Sequence, residues 1–321
     1  RTHHRTPRMG GRPLRFRRLN EAAVNAITRN AAFFFAAGDA FFAGALLIAA
    51  GHLAAWRWRH RRGAKWFRML TILGIVFGVL AVIPLPWLLY SLCLGLPLML
   101  INRPFATSDD SRRHQILRRV EPLVEFFILL AVGWELWDQT ALRPIPSKKL
   151  PAEIHVVGDS LSAGIGDEQN HLWPRLLSQR LNVPVVNHAQ PGANIHSALK
   201  QAEAVTGDDP LVLIEIGGND LLSNRDSTLV AADLELLLAT LPRGWRELVM
   251  FELPVPPIPG AYALARTQRR LARRFGVRLI PRRQFAKVLF SNGATIDSLH
   301  LSREGHERLA NMVAGTLFTK D

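Results

Sequence analysis

Cysteine is almost absent from this chain. Its 321 residues hold a single one, Cys93, which excludes an intrachain disulfide and any zinc site built on paired cysteines. No glycine-rich GxxxxGK loop and no HExxH helix occurs, so nucleotide and zinc-protease chemistry lack their sequence carriers. Acidic residues are scarce in one half only. Residues 1–150 contain 22 Lys and Arg against 8 Asp and Glu, whereas residues 151–321 contain 18 of each. The whole net charge of +14 therefore lies in the first half. A nucleic-acid-binding domain would carry its basic surface on a folded unit. Here the excess flanks long apolar runs and reads as contact with anionic lipid head groups and as a topology signal, with no nucleic-acid partner. At 48% hydrophobic and 21% charged the chain is not a disordered one. A mean hydropathy of +0.08 points the same way as the apolar runs.

The first 30 residues, with eight Arg and one Glu, read as a disordered basic arm. The run 31–56 then gives 26 mostly apolar residues, more than the roughly 20 that cross a bilayer as a helix. It also exceeds the apolar core of a cleaved signal peptide. Asp39 within it reads as a structural carboxylate facing a partner. Charge is missing altogether from 69–101, where Pro84 and Pro86 break a run too long for one span. Two short spans, about 66–83 and 87–102, are expected. A shorter segment, 123–137, contains Glu125 and Glu135. The expectation is thus an α-helical membrane region over 31–138 with three or four spans, and a linker over 139–153. Counting basic loops puts the C-terminal domain outside the cytoplasm.

The pattern changes beyond residue 153. Short apolar runs at 154–157, 183–187, 211–216, 247–252 and 277–280 alternate with helical stretches near 171–181, 194–205, 227–241, 260–275 and 302–317. That alternation predicts an α/β domain, a doubly wound parallel sheet over 154–318. Sites in such sheets form beyond the carboxyl ends of strands, and the polar clusters of this half fall there. The first strand runs into GDSLSAG with Ser160, the second into NHAQPGAN with Gly192, the third into GGND with Asn219. Near the end, DSLH puts Asp297 three residues before His300, ahead of a helix that Ser302 would cap.

These residues are the parts of a serine hydrolase. A free hydroxyl is a poor nucleophile, so Ser160 needs a base. His300 can accept its proton and return it to the leaving group, and Asp297 can hold the imidazole tautomer. The N–H groups of Ser160 and Gly192 with the Asn219 amide would form the oxyanion hole. His306 is the rival base, but it lies inside the helix that follows. Asp159 and Asp220 read as supporting residues that tie down loops. Trp173 and the PVPPIPG loop, 254–260, are candidate walls of an acyl pocket. Eight arginines over 266–283 read as a solvated helix face, with lipid phosphate as the alternative.

In these four blocks, in this order, the chain resembles the SGNH or GDSL hydrolase family. The wording GDSLSAG and GGND is closest to its bacterial thioesterase/lysophospholipase branch. The resemblance covers roughly 154–318. It implies a three-layer α/β/α flavodoxin-like domain, no metal or cofactor, and broad action on esters and thioesters. Pro191 before Gly192 departs from the pattern but leaves the Gly192 donor intact. The α/β-hydrolase elbow is not met, since residue 162 is serine. The expected function is membrane-anchored hydrolysis of acyl esters or thioesters, with membrane lipid and a small acyl ester as partners. The rivals are an envelope carbohydrate O-acetyl esterase and an inactive hydrolase domain serving as a scaffold.

Overall fold

A computed structural model of the chain describes residues 13–57, 61–101, 112–165, 171–207, 210–241, 248–297 and 299–319. The first half is helical: α1 (Pro13–Ala36), α2 (Asp39–Arg57), α3 (Arg61–Leu80), α4 (Trp87–Ile101) and α5 (Arg112–Ala141). The arm expected to be disordered over 1–30 is therefore helical from Pro13 onward, and residues 1–12 lie outside the described residues. The run 31–56 is not one helix. It breaks at Ala37–Gly38, where Gly38 adopts φ +87° and Asp39 opens α2 with a carboxylate in its first turn.

The helices α2 and α3 pack closely through glycine. A Cβ on Gly74 would lie 2.6 Å from the Gly44 carbonyl oxygen and from Ile48 Cγ1, so only glycine allows this approach of backbones. Gly74 and Gly78 stand four apart, in the GxxxG spacing that joins helices in membranes. The proline break falls where the sequence puts it, with Ile83–Pro86 between α3 and α4. Among the described residues one helix, at 39–56, is long and apolar enough to cross a bilayer; α4 is apolar but 15 residues long. Beyond that one helix, the multi-span region stands as an expectation.

The second half forms the five expected strands: β1 (Ile154–Gly158), β2 (Val185–Asn187), β3 (Leu211–Glu215), β4 (Val249–Phe251) and β5 (Arg278–Ile280). All pair in parallel in the order β2-β1-β3-β4-β5, so the order reverses between β1 and β3 and opens a crevice at their carboxyl ends. β1 and β3 are buried on both faces, which explains their unbroken apolar runs. One covering layer contains α8 (Ala198–Glu203), α10 (Ser227–Thr240) and α11 (Ala261–Phe275). The other contains α7 (Trp173–Leu181), α12 (Arg282–Leu289) and α13 (Arg303–Leu317). Two short helices, α6 (Ser160–Ala163) and α9 (Gly218–Leu222), follow β1 and β3 directly.

The halves interlock. The stretch 266–283 is no single helix but spans α11, β5 and the start of α12, and six of its arginines (Arg266, Arg269, Arg273, Arg278, Arg282 and Arg283) reach the helical region. Buried Arg269 donates to Glu135 of α5 at 2.9 Å and to Glu252 at 2.6 Å. Arg273 pairs with Asp138, and Arg283 with Asp39 at 2.9 Å. Fully buried Arg282 donates to the Val82 carbonyl at 3.1 Å. The Tyr262 hydroxyl donates to the Leu85 carbonyl at 2.6 Å. The linker is also fastened, because Leu279 N–H donates to Leu142 O and Ser147 N–H to Leu317 O.

Candidate active site

The site begins where β1 ends. The Gln201 side chain grips Gly158, accepting its N–H at 2.9 Å and donating to its carbonyl at 3.0 Å. Asp159 then caps α6 by accepting Leu161 N–H at 3.0 Å, which makes Ser160 the first residue of that turn. Ser160 is half-buried, and its N–H and hydroxyl have no protein partner among the described residues. Gly192 sits at φ +73° on an exposed turn, and its N–H is likewise unpaired among the described residues. A side chain there would strain the backbone. Asn219 lies on α9, where its amide donates to the Ala193 carbonyl at 2.8 Å and stands 3.5 Å from Asp159 Oδ2. It thereby links the loops after β1, β2 and β3. Asp220 accepts Ile195 N–H at 2.9 Å and pairs with Arg225 at 3.0 Å, holding the second loop against the third.

Asp297 and His300 form the second part. Asp297 Oδ2 lies 2.7 Å from His300 Nδ1, and its Oδ1 accepts the N–H groups of His300 at 2.8 Å and Leu299 at 3.0 Å. Those bonds, the imidazole one first, hold the Asp297 carboxyl well below the ordinary carboxylate range. An anionic Asp297 facing Nδ1 leaves Nε2 as the basic nitrogen. His300 is close enough to Asp159 for its charge to act on that carboxyl. Leu161, Gly218 and Leu299, the chain neighbours of Ser160, Asn219 and His300, line one cleft. No hydrogen bond joins Ser160 Oγ to His300 Nε2 among the described residues; such catalytic bonds are often long until substrate binds.

His306 is no base. It is buried, its Nδ1 accepts Trp173 N–H at 3.3 Å, and burial lowers its pKa to about 4. Trp173 is fully buried and donates to Ser162 Oγ at 3.2 Å, packing beneath the site and not along the cleft. Sequence reasoning missed Glu215, at the end of β3. Its fully buried carboxylate accepts the Ser162 hydroxyl at 2.9 Å. Burial and the nearby Asp159 push the Glu215 carboxyl well above its usual range. Asp159 itself rises to about 6, chiefly through burial, with the Leu161 N–H and the His300 charge opposing. A lone acid inside the apolar run LVLIEI was the available signal.

The cleft has a volume of about 510 Å³, and every residue lining it is apolar: Ala, Phe, Leu, Gly, Pro, Val or Ile. Pro254–Ile258, part of the predicted PVPPIPG wall, is among them. Among the described residues no group of three His, Cys, Asp or Glu is placed to hold a metal ion.

The structure thus brings a serine hydroxyl, two backbone N–H groups unpaired among the described residues, an asparagine amide and an Asp–His pair to the β1/β3 crevice, the set that the SGNH resemblance implies. Residues 156–308 match the GDSL-like lipase/acylhydrolase family. The chain is 30% identical over 112 residues to an arylesterase of Vibrio mimicus, covering 33% of this chain and 56% of that one. It is 26% identical over 169 residues to thioesterase 1/protease 1/lysophospholipase L1 of Escherichia coli K12, covering 50% and 81%. The chain thus spans little more than half the length of the arylesterase. The solved structure of TesA aligns with a TM-score of 0.45 at 26% identity, over 51% of this chain and 97% of that one.

Proposed function

We propose that this chain is a membrane-anchored esterase that cleaves long-chain acyl esters or thioesters through an acyl-enzyme. Ser160 Oγ attacks the acyl carbonyl as His300 Nε2 takes its proton, and the oxyanion rests on the N–H groups of Ser160 and Gly192 and on the Asn219 amide. The carbonyl re-forms as the bond to the leaving oxygen or sulfur breaks, and His300 protonates that atom. Water, deprotonated by His300, then attacks the acyl carbon and releases Ser160. The relatives named arylesterase and thioesterase/lysophospholipase support this substrate class. The observation that carries it is the wholly apolar cleft beside the site, which offers nothing polar to a carbohydrate.

Membrane anchoring is supported by the inside-out character of the helices. Leu46, Leu53, Ile72, Val76, Leu98, Phe126 and Leu129 are exposed, while glycines sit between α2 and α3. The start of α2, the end of α3, the start of α4 and the end of α5 all meet the hydrolase domain. Four crossings would then leave the basic segments 57–68 and 102–119 on the far side. Those segments hold eleven Lys and Arg, against eight in 12–30 and 139–150, so the positive-inside rule puts the hydrolase domain outside the cytoplasm. Protease accessibility in intact cells tests that sidedness.

Hydrolysis of p-nitrophenyl esters from acetate to palmitate by the full chain in detergent tests the substrate class. Rates should favour long chains, and lysophospholipid in vesicles should also be cleaved. A preference for acetate would instead favour the carbohydrate deacetylase.

A further inference from the structure

One wall of the apolar cleft does not come from the hydrolase domain at all. Ala32, Phe35 and Ala36, on the last turns of α1, face Phe285, Leu289 and Phe290 of α12 and its C-terminal end across it. The wall is fixed from both sides. α1 packs on α12, and the Phe35 ring is braced edge-to-face by Phe77 of α3 at 5.7 Å and by Phe34 at 5.3 Å. After the two-residue break Ala37–Gly38 the chain enters α2, the helix long and apolar enough to cross a bilayer. The cleft therefore runs from the chain neighbours of Ser160, Asn219 and His300 to the foot of that helix.

We infer that α1 is part of the substrate site: the acyl chain of a single-chain ester lies between α1 and α12, and Ala32 and Phe35 set the chain length accepted. Only an apolar occupant matches a lining without one polar side chain. The volume of about 510 Å³ lies within the range of small-ligand sites and far exceeds what an acetyl group fills. The position beside the nucleophile assigns the cleft to the acyl part of the ester. The helical half would then shape specificity as well as hold the enzyme at its substrate. This inference rests on the esterase reading, and the following experiment separates the two.

The full chain is compared with Ala32→Trp, which fills the cleft, and Phe35→Ala, which removes its wall. The readout is the ratio of kcat/KM for palmitate to that for acetate p-nitrophenyl esters, normalised to the protein labelled by a fluorophosphonate. Both variants should lower the ratio, Ala32→Trp by about tenfold or more, since apolar pockets discriminate by roughly that much per methylene or two. Ile27→Trp, on an exposed position of the same helix, should keep the parent ratio. An unchanged ratio in the first two variants, or an equal fall in Ile27→Trp, would overturn the inference while leaving the esterase reading intact. A parent chain that neither labels nor cleaves any ester would overturn both.

Discussion

Asn219 is the residue whose two duties are hardest to separate. Its amide holds the Ala193 carbonyl and, in the proposed mechanism, would also donate to the oxyanion. If transition-state charge is its main partner, Asn219→Ala should lower kcat by about 10²–10³ with KM nearly unchanged. A loss confined to KM, measured on any accepted ester, would assign it to loop geometry alone. His306 gives a stability prediction. Its folded pKa of about 4 lies below its ordinary value of 6.5, so between these the unfolded chain binds more protons. Stability therefore rises with pH across that window, and is fully gained above about 6.5. Asp159 works in the opposite sense: its proton persists to about 6 in the folded state, so its contribution falls as pH rises from 3.8. His306→Gln should leave a flatter or falling dependence of urea midpoint on pH between 4.5 and 6.5. An unaltered dependence would contradict the assignment. Ser160, Gly192, Asn219, Asp297 and His300 could be proposed from sequence because each reaction role demands a residue type. Gln201 and Glu215 could not be placed that way, because they act on Gly158 and Ser162 through tertiary contacts 43 and 53 residues away.

At the scale of elements, the five strands and their crossover helices followed from periodicity, whereas the break at Ala37–Gly38 did not. The apolar run conceals it, since every residue from 31 to 38 is Ala, Phe or Gly. What fixes the break is distant: the space where a Gly38 side chain would sit is occupied by the Arg282 guanidinium. Gly38→Val should therefore drive Arg282 out of its buried seat as well as strain a positive φ, costing on the order of 1–3 kcal/mol. Thermal unfolding of the full chain should show a lowered midpoint, and a midpoint equal to the parent's would show that Arg282 yields freely. The eight arginines of 266–283 teach the same lesson. Composition suggested a solvated face, but pairing with Glu135, Asp138 and Asp39 is a property of two elements more than a hundred residues apart.

For the whole molecule, sequence suggested an anchor and an enzyme joined by a linker. The structure instead unites them through buried charge, apolar contact and a cleft that both halves line. Buried ion pairs are costly to break from one side, because the remaining charge is left in low dielectric. Glu135→Gln should accordingly destabilise the molecule by about 3–5 kcal/mol, and Glu135→Met, Glu252→Met and Arg269→Met together, which remove both carboxylates along with the guanidinium they share, should restore much of that. Equal losses in the single and triple variants would mean that these charges do not couple the halves. The central claim remains the chemistry at the strand rim, which a fluorophosphonate tests most directly. Peptide mass mapping of the labelled full chain should find one adduct, on Ser160, absent from Ser160→Ala and strongly reduced in His300→Ala. An adduct on another residue, or labelling undiminished when Ser160 is replaced, would contradict it.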